Sequence, residues 1–302
     1  SRRLFVCPPP FRMPVICEKF DGMIKCFEVI SVTDFERIKD YYRHFNEDER
    51  LQRDASGRLE YEMVMRMLQN HLPAEGTILD LGGATGVYAF PLAQMGYQVH
   101  LADLSERLIA IAKGKSEKLK TGKLATCEVV NAVDLSRYAD DSFDVVLLFG
   151  PLYHLLDSNE RNACIREVYR VLKTGGLVFA SFIPYLSGSI AIVDRYFFAP
   201  DQVGQGNLQE VFSSGRFNNN AHYGFQEGYY PTSDEIVRLF GNSGFSIVEL
   251  TSIRGFLYEK EDRYYSIQDA AMQQEILRWA VETAKQKEII ETCGHAMYIG
   301  RK

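Results

Sequence analysis

Residues 78–88 read Ile78-Leu79-Asp80-Leu81-Gly82-Gly83-Ala84-Thr85-Gly86-Val87-Tyr88. A short apolar run enters a glycine cluster, and a stretch of helical character, 87–95, leaves it. In an open α/β sheet such a strand-to-helix turn is where ligands bind, beyond the carboxyl ends of the strands. Glycines there allow tight turns and close approach of the backbone to a ligand. The spacing then selects among ligands. A dinucleotide loop follows G-x-G-x-x-G; started at Gly82, that pattern meets Ala84 and then Val87. A phosphate loop ending in G-K-S/T is absent. What stands is D-x-G-x-A-x-G, with Asp80 two positions before the first glycine. A carboxylate there repels a pyrophosphate and suits a cationic ligand, an amino group or a sulfonium.

The same rhythm extends outward from this turn. Apolar runs at 77–81, 99–102, 128–131, 144–149 and 177–183 predict strands, and 87–95, 106–120 and 161–172 predict helices between them. Short apolar runs alternating with helices indicate βαβ units and a parallel sheet covered on both faces. Upstream, Asp34 can cap a helix over 35–43, the polar run 46–57 breaks it, and Leu59, Met63 and Met67 mark an amphipathic helix that follows. Downstream, 184–231 departs from the rhythm. It is rich in Gly, Asn and aromatic residues, as insertions and lids are. Thr232 and Glu235 then form a capping box for a helix to about residue 242. The last strands are predicted at 246–253 and 296–300, with a long helical stretch, 267–291, between them. The expected organisation is an N-terminal extension over 1–33, partly of foreign origin with Met13 or Met23 as candidate starts, and one domain over 34–302 with 184–231 as a cover.

Composition narrows the class. At 302 residues the chain suits one large domain or a domain with an elaboration. Its 46% hydrophobic and 25% charged residues exclude disordered and collagen-like chains. With 34 Lys+Arg against 40 Asp+Glu, the net charge is -6, and there is no basic block to meet a phosphate backbone, so no nucleic-acid partner is expected. No apolar run reaches the ~18–20 residues of a membrane span, and Pro8, Pro9 and Pro10 interrupt any leader-like core. No membrane partner is expected. Six scattered cysteines without a C-x-x-C pair suggest neither a disulfide scaffold nor a metal site; reduced thiols in a cytoplasmic setting are expected.

From about residue 41 onward the chain resembles the class I S-adenosylmethionine-dependent methyltransferases of the small-molecule type. Their first motif, (D/E)-x-G-x-G-x-G, is matched by Asp80, Gly82, Gly83, Ala84 and Gly86, with Ala84 at the middle glycine. The later landmarks come in order: Asp103 with Leu104 about 20 residues past the loop, Asn131-Ala132, Asp141-Ser142-Phe143-Asp144, and Val171-Leu172-Lys173-Thr174-Gly175-Gly176. The resemblance implies a doubly wound, mostly parallel Rossmann-like sheet with an antiparallel last strand. It also implies S-adenosylmethionine as cofactor and S-adenosylhomocysteine as product. On it, Asp103 takes the ribose hydroxyls, Asn131 the adenine amine, and Phe149-Gly150 lie at the methyl. Tyr42 would close over the sulfonium, and Arg58 would pair with the methionine carboxylate.

The implied reaction is in-line displacement at the sulfonium methyl by O, N, S or C of an acceptor. Tyr153 and His154 are the catalytic candidates, to orient or deprotonate it. The (N/D)-P-P-(Y/F) tetrapeptide of methyltransferases acting on nucleic-acid amino groups is replaced by Gly150-Pro151-Leu152-Tyr153. The aromatic-rich segment 184–231 favours a small, apolar or aromatic acceptor, since aromatic rings line most such pockets. Some of Tyr196, Phe198, Tyr223 and Phe225 are expected to face the methyl, with Arg195 and His222 as polar groups nearby. The alternatives are a non-catalytic cofactor-binding protein and an RNA or protein methyltransferase; the oligomeric state is left open.

Overall fold

The run that enters the glycine loop is the centre of a sheet. In the computed structural model, residues 3–4, 15–20, 23–28, 33–44, 47–218 and 227–302 are described. Strands β1 (Arg3–Leu4), β2 (Val15–Phe20) and β3 (Met23–Glu28) form a small antiparallel sheet of their own. Helices α1 (Phe35–His44), α2 (Arg50–Arg53) and α3 (Ala55–His71) follow. Asp54 starts α3 by accepting from the Gly57 amide at 2.8 Å, satisfying one of the free amides of a first turn. Next come β4 (Thr77–Leu81), α4 (Ala89–Gln94), β5 (Gln98–Asp103), α5 (Glu106–Lys118), β6 (Thr126–Val129) and β7 (Phe143–Leu148). The short α6 (Pro151–His154), then α7 (Ser158–Val171), lead to β8 (Leu172–Phe182). Helix α7 begins earlier than the apolar pattern predicts because Asp157 caps it.

The seven-stranded sheet has the order β11-β12-β8-β7-β4-β5-β6, where β11 is Ser246–Ser252 and β12 is Ala296–Arg301. Strand β4 pairs in parallel with β5 and β7, and β7 with β8, whereas β12 is antiparallel to both of its neighbours. The fold is thus the doubly wound, mostly parallel sheet that the resemblance implies, with its antiparallel last strand. The chain reverses direction across the sheet at β4, and the crevice beside such a switch point is a binding site. Alternate residues of a strand face opposite sides. Ile78, Val99, Leu101, Val145, Leu147 and Phe179 accordingly enter one core with Met63, Val64 and Leu68 of α3. Leu79, Leu81, Val146, Leu148, Val178 and Ala180 enter the other, with Ile165 and Val168 of α7.

The segment 184–231 is more regular than its composition suggests. It holds helices α8 (Tyr185–Phe198) and α9 (Gln205–Ser214) and a hairpin of β9 (Arg216–Asn218) and β10 (Glu227–Tyr229). Ile192, Val203, Val211, Phe217 and Tyr230 form its own small core. At Gly188 a Cβ would strike the Tyr230 ring, so the glycine permits close packing inside α8. His222, Tyr223 and Phe225 lie outside the described residues, as do Met13 and Pro8–Pro10. The Thr232–Glu235 capping box opens α10 (Ser233–Gly241). The predicted long helix over 267–291 is divided into α12 (Ala270–Thr283) and α13 (Lys287–Thr292), after the short α11 (Glu261–Tyr265). Among the described residues, no helix is long and apolar enough to cross a membrane.

Candidate functional site

The glycine loop is pinned to the neighbouring strand: the Gly82 and Gly83 amides both donate to the Ala102 carbonyl, at 2.8 and 3.2 Å. Gly82 has φ +81, and a Cβ on it would lie 2.7 Å from the Pro151 ring. A Cβ on Gly83 would collide with Leu101 and the Asp80 carboxyl group. Ala84, at the position of the middle glycine, also takes a left-handed φ, +50. That conformation costs an L-residue on the order of 1 kcal/mol. It aims the Ala84 amide at Asp103 Oδ2, 2.9 Å away.

These residues wall a cavity of ≈ 1000 Å³ at the carboxyl ends of the parallel strands. Of the residues singled out in the sequence, Tyr42, Asp80, Gly82, Gly83, Ala84, Asp103, Leu104, Asn131, Ala132, Phe149, Gly150, Tyr153 and His154 all line it. Asp103 is buried, and each of its oxygens accepts one amide, from Ala84 and from Ser105 (2.8 Å). Each oxygen keeps a further acceptor position, a match for two vicinal hydroxyls. Burial pushes its pKa up to about 6; the two amides counter this, and Glu47 adds to it. Asp80 is fully buried, and neither of its oxygens has a hydrogen-bond partner. Burial first, and then Asp103, raise its pKa to about 7, while the Ala89 amide offsets them in part without a bond of normal geometry. Buried polar groups are almost always satisfied. An orphaned carboxylate in a cavity wall is what a cationic ligand would satisfy, so the residues present fit the cofactor that the resemblance implies.

Helix α1 closes one side of the cavity with Phe35, Ile38, Lys39 and Tyr42. The Tyr42 hydroxyl lies 2.9 Å from His154 Nε2, joining α1 to α6. Burial lowers the His154 pKa to about 4, so its imidazole is neutral near pH 7. The other lining residues of α1 were missed in the sequence, yet 35, 38, 39 and 42 follow the i, i+3, i+4, i+7 pattern of one helical face.

Three expectations need correction. Arg58 does not reach the cavity: it is exposed on α3, with its guanidinium 5.1 Å from the Tyr265 ring. Arg50 lines the cavity, paired with Glu47 and Glu60 at 3.1 Å each. Nor do the aromatic side chains of α8 face the methyl position. Tyr196 is 38% and Phe198 89% exposed, and no described residue of 184–231 lines the cavity. The segment instead braces the site from outside. Arg37 of α1 bonds to Asn218 and Glu227, and the Tyr229 ring lies under the Arg161 guanidinium at 3.7 Å. Gly86 does not line the cavity either; at φ +88 it turns the loop out toward Phe90.

A second, smaller cavity shares Arg50, Tyr88, Phe149 and Tyr153 with the first. Its remaining walls are Glu60, Val64, Ser181, Ile253, His295 and Met297.

Residues 79–180 match the family described as methyltransferase domain. YqeM of Bacillus subtilis, named as a methyltransferase, is 26% identical over 210 residues, 64% of this chain and 82% of that protein. A ubiquinone biosynthesis O-methyltransferase of Pseudomonas paraeruginosa is 31% identical over 107 residues, 35% of this chain and 44% of that one. Apart from YqeM, the chain spans about half or less of the length of the curated relatives it matches. Among solved structures, an S-adenosylmethionine-dependent methyltransferase of Methanosarcina mazei superposes with a TM-score of 0.55 at 21% identity, covering 78% of this chain and 96% of that one.

Proposed function

We propose that the chain is a class I S-adenosylmethionine-dependent methyltransferase, as the matched methyltransferase domain and the similar proteins support, and that it transfers the cofactor's methyl group to a small, apolar or aromatic acceptor. The observation that carries this reading is the orphaned Asp80 carboxylate, in one cavity with Asp103 and Asn131. Asp80 answers the ammonium of the cofactor. Asp103 offers its two free acceptor positions to the ribose, and Asn131 meets the adenine amine. Tyr42, held by His154, closes the cavity from the α1 side. With Nε2 taken up by Tyr42 and the ring neutral, His154 serves to hold that closure. Tyr153 borders both cavities and stands where acceptor and cofactor would meet.

When bound, S-adenosylmethionine supplies an electrophilic methyl on a sulfonium, an excellent leaving group. The protein's task is then mainly orientation, which can supply roughly 7–11 kcal/mol of a barrier. The similarity to ubiquinone biosynthesis O-methyltransferases favours an oxygen acceptor on a ring, and the net charge of -6 favours a small molecule over nucleic acid.

The test is incubation with methyl-labelled S-adenosylmethionine and a pool of small phenols, enols and amines. Label is expected in at least one small acceptor. Label entering only RNA or protein would contradict this reading.

A further inference from the structure

The second cavity has one apolar and one charged end. Val64, Ile253 and Met297, with the shared rings of Tyr88 and Phe149, make a surface suited to a flat ring. Opposite, charges run in series. Arg50 pairs with Glu60 at 3.1 Å, and Glu60 Oε2 lies 3.0 Å from His295 Nδ1. A carboxylate accepts only, so Nδ1 carries a proton, and in a neutral imidazole of that tautomer the lone pair lies on Nε2. The His295 ring stacks on Tyr153, with centroids 6.1 Å apart and planes at 14°. His295 immediately precedes β12, whose first residue, Ala296, pairs with Phe182 at the carboxyl end of β8. The cluster therefore stands at the same edge of the sheet as the glycine loop, and its cavity shares Arg50, Tyr88, Phe149 and Tyr153 with the larger one.

We propose that the second cavity holds a phenolic or enolic acceptor and that His295, oriented by Glu60, takes its hydroxyl proton. This deepens the methyl-transfer reading and rests on it. As the acceptor O–H bond breaks, its proton passes to Nε2. The oxygen's electron pair forms the new O–CH3 bond, and the pair of the breaking S–CH3 bond stays on sulfur, which becomes neutral. The imidazolium, paired with Glu60, later returns its proton to water. His295 is the catalytic residue and Glu60 the positioning residue. Burial pushes the Glu60 carboxyl up, but with His295 as the imidazolium, His295, Arg50 and Arg254 together outweigh burial and hold it well below the usual carboxylate range. Glu60 is thus an anion ready to steady the imidazolium. The groups around this pair are Arg50 of α2 with Glu47 beside it, Arg254 after β11 paired with Glu261, Tyr88 after the loop, Tyr153 of α6 and Ser181 of β8.

The probe is 4-nitrophenol, whose phenolate absorbs visible light, added to the full chain saturated with S-adenosylhomocysteine at a pH where free probe is mostly protonated. Wild type is expected to bind it and raise its phenolate absorbance. His295→Gln should lose that signal at least tenfold while binding S-adenosylhomocysteine as wild type does. Glu60→Gln should shift the pH at which bound probe ionises upward, and Glu60→Asp, keeping the charge, should restore much of the signal. Calorimetry with S-adenosylhomocysteine serves as the fold control for each variant. No probe binding by wild type, or a phenolate signal unchanged in His295→Gln, overturns the proposal. Failure of S-adenosylhomocysteine itself to bind wild type would instead strike the methyl-transfer reading.

Discussion

Asp80 has a carboxyl group in the protein interior, no hydrogen bond, and a pKa near 7. An Asp whose pKa is raised in the folded state binds more protons there than in the unfolded chain between its ordinary 3.8 and about 7. Stability is therefore lost as pH rises through that window, by on the order of a few kcal/mol once pH exceeds 7. Asp80→Asn removes the buried charge. In differential scanning calorimetry without ligand it should melt several degrees above wild type at pH 8, and close to wild type at pH 4. The same variant should bind S-adenosylhomocysteine more weakly at pH 8, because the ammonium loses its partner. Lower stability at pH 8 would contradict this account of Asp80. At this scale much of the site is legible in the sequence. Asp80, Asp103 and Asn131 sit at strand ends, where spacing along the chain becomes spacing along an edge. Arg58 was misread because the phase of α3 turns it away from the cavity, which Arg50 of α2 lines instead. Leu59, Met63, Val64, Met67 and Leu68 define the buried stripe of α3, Arg58 falls off that stripe, and buried Glu60 falls within it. An acidic residue inside an apolar stripe was the available signal for the second cavity.

Helix α1 has no fully buried residue; apart from Phe35, which packs against the core on the α7 side, it is held by a few contacts across the cavity mouth. Elements of this kind open at low free energy. The Tyr42–His154 bond and the Arg107 contact to the Tyr42 carbonyl, at 3.1 Å, are two of its ties. Tyr42→Phe keeps the ring and removes the first. Losing one such bond costs about 1 kcal/mol, or roughly fivefold in affinity. Calorimetry should show S-adenosylhomocysteine binding weakened by that factor, and hydrogen exchange should show α1 amides less protected than in wild type. Unchanged exchange over 35–44 would dismiss the closure. The insertion taught the converse lesson. Its departure from the strand–helix rhythm is plain in the sequence, but its helices are not. Short helices are stabilised mainly by tertiary packing, here around Val203, Val211, Phe217 and Tyr230. Of the aromatic residues expected to face the methyl, the two that are described, Tyr196 and Phe198, are exposed.

For the molecule as a whole, the parallel part of the sheet was readable because buried strands appear as short apolar runs between helices. The reversed direction of β12 carries no such pattern; it came from the family resemblance, since an antiparallel strand buried on both faces, AMYIGR in β12, has the same composition as a parallel one. The division of 267–291 into two helices was hidden because no Gly or Pro marks the break between Thr283 and Lys287. What the assembled molecule does is bring the end of β4, the end of β5 and the start of α6 around one cavity, so that Asp80 and Asp103, apart in sequence, line it together. The claim that the cavity's ligand is S-adenosylmethionine is tested most directly by calorimetric titration of S-adenosylhomocysteine into wild type and Asp103→Ala. Loss of hydrogen bonds to a charged group costs about 1.5–3 kcal/mol, so saturable binding to wild type and a roughly 10–150-fold loss in the variant are predicted. Equal affinity of the two proteins, or binding of NAD in preference to S-adenosylhomocysteine, would contradict it.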